Sequence, residues 1–531
     1  MARNRQSFIA LNRQPLNLFS AVLAFYACVF LAWRTYHHWK LAVRLDTVKA
    51  AYYRYEFVEL RLRTRDVALE TSWKRAPMRA RVLRDGVPIT TIANLSEVDL
   101  RWDAARRVFI GKWPCPWNAP EGEYVPVLVD AAERGGAPLP AEIESRIETA
   151  PFRIVHRKPR PLPRRFVVLT METAKSLAGM KIKAPDGRIR DWRGMIDWAE
   201  YVEADAFWIL AGQTPGQKPG DIWVTYNFGL IPELARECRR RGLKFGVWEI
   251  SYLTMSQNRL ARYEYAQEVQ EGRSVYTRAI SLRDRKRPQD IADLLKRFRD
   301  VPEVDYLGLD YIRNALGGDE LAEDFIDEMP GVRPPPEWER LTREERVVWF
   351  ARKRIMRRDA AFIDAWQWWR AHRTALIVRK IKNELGDAKP LWAFTLTWDK
   401  GWHHGQDVAM FNDAGIDADA LMLYEADAVQ FDAMMRAWHS YVRRGDVQLL
   451  VGDVVDWPLH QRSPRGPGEF LYRSNRAAEH IYRDGPAAGL FIHDLERALW
   501  GRLGPYSTLD WMRAAREAAR HFRSLPEPGT P

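Results

Sequence analysis

A chain of 531 residues with 46% hydrophobic and 12% aromatic side chains is too long for one ordinary core and too apolar to be disordered throughout, so two or three packed domains are expected. Its net charge of +12 favours an acidic polysaccharide or a lipid surface as partner over nucleic acid, because no zinc-finger spacing, RNP-like run or basic heptad helix accompanies it. The three cysteines, none at metal-ligand spacing, exclude a disulfide framework.

Residues 1–15 form a basic tail with Arg3, Arg5 and Arg13. Residues 16–33 are uncharged and almost wholly apolar. At about 1.5 Å per residue this run just spans a hydrocarbon core of roughly 30 Å. No small-x-small cleavage site follows, so an uncleaved transmembrane signal-anchor is expected. Arg34, Lys40 and Arg44 on its far side weaken the positive-inside argument, yet the expectation is a cytoplasmic tail and a periplasmic remainder at a bacterial inner membrane. Residues 34–54 are expected as a juxtamembrane helix.

Between residues 55 and 132 the texture changes to short alternating runs. Phe57-Val58-Glu59-Leu60-Arg61-Leu62-Arg63 has the period-two pattern of a half-buried strand. Further runs lie near 78–83, 96–102, 108–113 and 124–129, separated by turn signals such as Asp85-Gly86. A small β-sandwich is expected, serving as a spacer or a sugar-binding module. The stretch Trp113–Tyr124 resembles the closing hairpin of immunoglobulin-like modules that precede carbohydrate-active barrels. Residues 133–165 read as a linker that ends in the proline- and arginine-rich run 157–165.

From residue 166 to 520, eight short apolar runs alternate with helical segments: 166–171, 206–211, 244–250, 304–310, 391–398, 420–424, 447–452 and 488–493. That alternation predicts a (β/α)8 TIM barrel, and no glycine-rich nucleotide fingerprint interrupts it. The connection after the fourth strand is oversized. It holds a polar insertion at 314–358 and then a long helix around 360–385, and long loops on that face usually shape a site. Residues 521–531 form a tail.

Barrel chemistry sits at the C-terminal strand ends. Acids recur there: Glu172, Glu249, Asp310, Asp399, Glu425, Asp453, Asp456, Asp494 and Glu496, with Trp208, Trp248, Tyr311, Trp398, Trp402, Tyr424 and Trp457 among them. Cleaving a glycosidic bond needs one protonated and one ionised carboxyl across the bond, and their spacing decides between retention and inversion. Asp310, with Arg313 nearby to keep it ionised, suits the nucleophilic or charge-stabilising role. Glu425 suits the proton-holding role, and Asp399 competes for it. Tyr311, Arg313, Glu249, His403, Tyr424, Asp453 and Asp494 are candidate substrate contacts. Trp208, Trp248, Trp398 and Trp402 are candidate stacking platforms, although the 23 tryptophans serve core packing equally well.

The run Leu309-Asp310-Tyr311-Ile312-Arg313 resembles the fourth-strand motif of a glycosyl hydrolase-like family of bacterial α/β barrels, written DGIHLDYIRYP there. Trp368-Trp369-Arg370, Ile381-Lys382 and Lys389-Pro390-Leu391 resemble the family's insertion, helix and return to the next strand. The likeness covers 166–424 in outline. It implies a barrel acting on glycans, with Asp310 as the catalytic Asp and Tyr311 and Arg313 as its neighbours. The chain departs at Asn314-Ala315-Leu316, where the family has Tyr-Pro.

Together these readings predict a membrane-anchored glycosidase acting on a polysaccharide, without cofactor, metal or nucleic-acid partner. Two alternatives stand beside it. One is a catalytically silent glycan-binding scaffold of a polysaccharide export or envelope system. The other is a metal-dependent barrel hydrolase using His403, His404, Asp399, Asp407, His493 and Asp494.

Overall fold

The computed structural model describes residues 21–33, 43–76, 78–129, 147–216, 218–256, 259–314, 317–397, 403–423, 428–441, 446–456, 458–459, 463–464, 466–479, 487–502 and 504–526. Residues 21–33 are helical and exposed all round, with Phe25, Tyr26 and Leu31 each more than half accessible. Among the described residues, no helix is long and apolar enough to cross a membrane. The start of the predicted anchor, 16–20, lies outside the described residues.

Of the segment 34–54 expected as a juxtamembrane helix, the described part, 43–54, contains two strands and no helix. Val43–Thr47 pairs antiparallel with Phe57–Thr64, and Ala51–Tyr52 joins the opposite sheet. Its sequence, Val-Arg-Leu-Asp-Thr, already alternates, with Val43 and Leu45 buried and Arg44 exposed. Two sheets face each other, a five-stranded one containing Phe57–Thr64 and Val108–Pro114 and a six-stranded one containing Arg79–Arg84 and Gly122–Val129. They share a core of Val43, Leu60, Val82, Trp113, Tyr124 and Phe152. Ile147–Thr149 and Phe152–Ile154 complete the two sheets. The sandwich therefore runs from about Val43 to Ile154, and the predicted 55–132 omitted strands at both ends.

The basic run that follows lies along the base of the barrel. Arg157 N–H donates to Asp413 (3.1 Å), Arg160 N–H to Asp417 (2.9 Å) and Leu162 N–H to Gln448 (2.8 Å). Eight parallel strands then close on themselves: β1 Phe166–Met171, β2 Ala206–Thr214, β3 Lys244–Thr254, β4 Tyr306–Asp310, β5 Leu391–Leu396, β6 Ala418–Met422, β7 Leu449–Val454 and β8 Ala487–His493. Each pairs with its neighbours, β8 returns to β1, and β2 pairs with β3. Helices such as Ile231–Arg240 and Arg287–Arg299 connect them on the outside.

Large side chains fill the barrel interior. Trp208, Trp248 and Trp392 meet there, with the rings of Trp208 and Trp392 stacked at 4.1 Å. Glycines make the room: a Cβ on Gly308 would lie 2.2 Å from the Trp392 indole, and one on Gly246 would lie 2.4 Å from that of Trp208. Trp208 and Trp248 are fully buried, so they are barrel core and present no face to a sugar, correcting the expectation of stacking platforms.

The β4–β5 connection contains Ala322–Glu328, Arg343–Met356 and the 26-residue helix Ala360–Leu385. Asp359 caps that helix through Phe362 N–H, and Gly386 ends it at φ 66°. One face grips the sandwich: the Trp368 indole N–H donates to the Cys115 carbonyl (2.9 Å), and His372 Nδ1 meets the Tyr55 carbonyl (2.5 Å). Elsewhere in this interface Arg54 forks onto Asp413 at 2.8 and 2.9 Å, both side chains at most 1% exposed.

Candidate active site

Strand alternation decides which residues enter the barrel mouth. On β1 the side chains of Phe166 and Val168 point inward, and Thr170 and Glu172 continue that face. On β4 the inward positions are Tyr306, Gly308 and Asp310; on β8 they are Phe491 and His493. These three strand ends bring Glu172, Asp310 and His493 together. His493 Nε2 lies 3.2 Å from Glu172 Oε2, and its Nδ1 lies 2.8 Å from Thr170 Oγ1. The peptide joining His493 to Asp494 is cis.

The two carboxyls are shifted in opposite directions. Burial and the charge of Glu172 push Asp310 up to about 7, and these outweigh the opposing pull of Arg313 and of the Tyr311 N–H that donates to Asp310 at 2.7 Å. Glu172 moves the other way. Burial works against its charge, yet the hydrogen bond and charge of His493, helped by Arg497, hold it below the usual carboxylate range. Burial likewise opposes a charged His493, but its bond to Glu172 and the charges of Asp494, Glu172 and Asp310 raise it. Asp310, expected as the ionised carboxylate beside Arg313, is shifted toward its protonated form, because burial and a neighbouring anion exceed what one guanidinium offsets.

The turn after β4 is tightly held. Tyr311 sits at φ 48°, a left-handed conformation unusual for an aromatic residue, while its carbonyl accepts from Tyr252 N–H (3.1 Å). The Arg313 guanidinium stacks 4.6 Å from the Tyr311 ring centre. Both residues flank Asp310 as the sequence suggested.

Other expected contacts have different tasks. Glu249 alternates with the inward Trp248 and Ile250, and its Cβ lies near Gly212 on the outer side that Leu294 also covers. Burial drives it up to about 8 against the charge of Arg287 and the Ser251 hydroxyl, which donates at 2.5 Å. Asp453 also faces outward, between the inward Leu450 and Val454, in a buried pair with Arg473 (2.7 Å). Neither reaches the mouth, so both correct the expectation of substrate contacts. Asp494 caps Leu495–Trp500 and accepts from Glu172 N–H (2.9 Å), which fixes the end of β1; burial raises it to about 6 against the charge of His493. His403 is exposed and meets Arg357 at 3.0 Å.

Trp398, Asp399, Trp402, Tyr424, Glu425 and Trp457 lie outside the described residues. The described part of the mouth is therefore the side built by β8, β1 and β4. Among the described residues, no group of three or more His, Cys, Asp or Glu is placed to hold a metal ion. A cavity of about 920 Å³ lies apart from the mouth, between Arg283, Asp324, Trp338 and Arg373 on the insertion side.

Sequence reasoning placed Glu172 at a strand end without giving it a task, and it met His493 only as part of a metal alternative. The signal was present in the inward series 168, 170, 172 of β1. It is faint because the outward positions Val167, Leu169 and Met171 are equally apolar.

No family model matches the chain, and no curated protein does. Among solved structures it is similar to a β-galactosidase from the Antarctic haloarchaeon Halorubrum lacusprofundi, at 11% identity and a TM-score of 0.43, over 68% of this chain and 58% of that one. A β-glucuronidase from Bifidobacterium dentium is similar at 10% identity and a TM-score of 0.35, over 92% and 67% of the two chains. A chitinase from Rhizomucor miehei is similar at 9% identity and a TM-score of 0.36, over 67% and 100%. Likenesses this distant carry no argument here, and the barrel rests on its own strand pairing.

Proposed function

We propose that this chain is a glycoside hydrolase that cleaves a polysaccharide, tethered to a bacterial inner membrane by its N-terminal apolar segment with the barrel on the periplasmic side. The observation that carries the reading is the Asp310–Glu172 pair: two carboxyls at the barrel mouth, one raised to about 7 and one lowered. Glycosidic cleavage requires that division of labour. Asp310 delivers its proton to the departing glycosidic oxygen. Glu172, kept ionised by His493, attacks or stabilises the developing oxocarbenium carbon. Arg313 and Tyr311 hold the Asp310 turn in place. Glu425 and Asp399 are the alternatives for the second carboxylate.

The anchor is supported by the uncharged run 16–33 and by the exposure of apolar side chains on every side of helix 21–33. Thirteen residues alone reach only about 20 Å, so the tether requires the preceding apolar residues as well.

The test is release of new reducing ends from a panel of bacterial exopolysaccharides by the full chain in detergent, beside Asp310→Asn and Glu172→Gln. Cleavage by the parent that either substitution lowers by about 10²–10⁴-fold supports the assignment. Cleavage that survives both moves the chemistry to Asp399 and Glu425. Saturable binding with no cleavage replaces the enzyme by a glycan-binding scaffold.

A further inference from the structure

The corner between the two longest helices of the β4–β5 connection carries an exposed mixture of aliphatic and basic side chains. The helix Arg343–Met356 buries Val347, Phe350 and Ala351, and it ends where Arg357 turns left-handed at φ 49°. Asp359 then caps the helix Ala360–Leu385 through Phe362 N–H and pairs with Lys353 at 2.9 Å, which pins the corner from both sides. With one face buried, Arg352, Ile355 and Met356, spaced i, i+3 and i+4, share an outer one. Ile355 is 62% and Met356 54% exposed, and Arg352, Arg357 and Arg358 are exposed around them.

Charge is unbalanced at this corner. Of the cations between 352 and 358, Lys353 is answered by Asp359 and Arg354 by Asp319, each at 2.9 Å. Arg352, Arg357 and Arg358 have no carboxylate partner among the described residues. Arg357 instead meets His403 Nδ1 at 3.0 Å, in the turn after β5. That contact sets the corner at the C-terminal end of the barrel, the end on which Asp310 stands. Three guanidiniums without a counter-charge call for an anionic partner, and the aliphatic pair among them says which kind. A polysaccharide answers the charge but leaves Ile355 and Met356 in water. A lipid surface answers both, its phosphates meeting the guanidiniums and its acyl region covering the aliphatic side chains.

We propose that Arg352, Ile355, Met356, Arg357 and Arg358 form a docking surface for an anionic phospholipid bilayer. The proposal rests on the tethered reading only for the presence of that bilayer. The chain then meets the membrane at two points, one apolar and one basic, and two contacts on one chain reinforce each other. Seated this way, the corner brings the mouth end of the barrel to the headgroups.

The test uses the full chain assembled into nanodiscs of phosphatidylcholine alone and of phosphatidylcholine with phosphatidylglycerol, with hydroxyl-radical labelling read by mass spectrometry. Val67 and Val87, both more than half exposed on the sandwich, are the internal reference. Labelling of Ile355 and Met356 is expected to fall severalfold in the anionic discs only, and to recover in high salt. Arg352→Gln with Arg358→Gln should abolish the protection, since each arginine near an anionic surface is worth about fivefold in partition. The paired substitution to Lys should keep most of it, and neither pair should move the melting temperature, because no partner is lost. Equal labelling in both discs overturns the corner. Equal protection in neutral discs overturns recognition by charge. Soluble alginate that protects as well as the anionic discs overturns the lipid assignment in favour of an acidic glycan. Co-elution with neutral discs reads the tether separately: a chain that fails there, yet is protected by added anionic vesicles, keeps the corner and loses the tether.

Discussion

At the scale of single residues, burial and neighbouring charges set Asp310, Glu172 and Glu249 apart. The proposed mechanism needs Asp310 protonated and Glu172 ionised. The rate is therefore expected to fall as pH rises through about 7, and to fall again only at pH values below the usual glutamate range. Removing the Glu172 charge removes a cause of the Asp310 shift, so residual activity in Glu172→Gln should lose its alkaline limb at a lower pH than the parent. A pH–rate profile checks both. Stability follows the opposite logic at Glu249. Its carboxyl is raised to about 8, so the folded state holds a proton that the unfolded chain releases from about pH 4.3 upward. Stability is then lost progressively between that value and about 8. Glu249→Gln should raise the melting temperature at pH 8 by a few degrees and change it little at pH 4, as read by calorimetry.

At the scale of elements, the barrel is organised by where tryptophans and glycines face each other. Gly308→Ala drives a methyl group into the Trp392 indole, and an over-packed core of this kind is expected to cost about 1–3 kcal/mol, readable by denaturant unfolding. Trp392→Ala should cost about 3–5 kcal/mol. This packing also explains what the sequence could tell. Apolar runs bounded by turns located the barrel strands to within a few residues, because a strand buried on both faces needs continuous apolar sequence. The long helix 360–385 was legible from its length and its flanks. Inside or outside was not legible, because β1 and β3 are apolar on both faces; Trp248 and Glu249 could each have pointed to the axis. The strand Val43–Thr47 was mistaken for helix because it follows an apolar helix and carries its alternation over only five residues.

At the scale of the whole molecule, the sandwich is joined to the barrel and is no detached spacer. Arg54 and Asp413 form a buried, hydrogen-bonded ion pair across the interface, and removing Asp413 leaves the buried Arg54 only the longer contact to Asp446 at 3.8 Å. Asp413→Ala should therefore destabilise by about 3–5 kcal/mol, measured by denaturant unfolding. The same contact set predicts that a fragment beginning at Lys158 melts far below the full chain or fails to fold, as circular dichroism would show. It would expose Trp368, His372 and Asp413, which the sandwich now covers. The long helix carries this dependence to the mouth, since Trp368 and His372 hold the sandwich while Arg370 holds the turn after β5.

The central claim is that the mouth keeps Asp310 protonated beside an ionised Glu172, and it can be measured without knowing the substrate. Infrared difference spectra of the full chain against Asp310→Asn, followed from pH 4 to 9, report the protonated carboxyl of this one residue. A protonated-acid band is expected that is present at pH 5, disappears around pH 7 and is missing from the variant. A spectrum in which Asp310 is already ionised at pH 5 would contradict it and return Asp310 to the role of nucleophile.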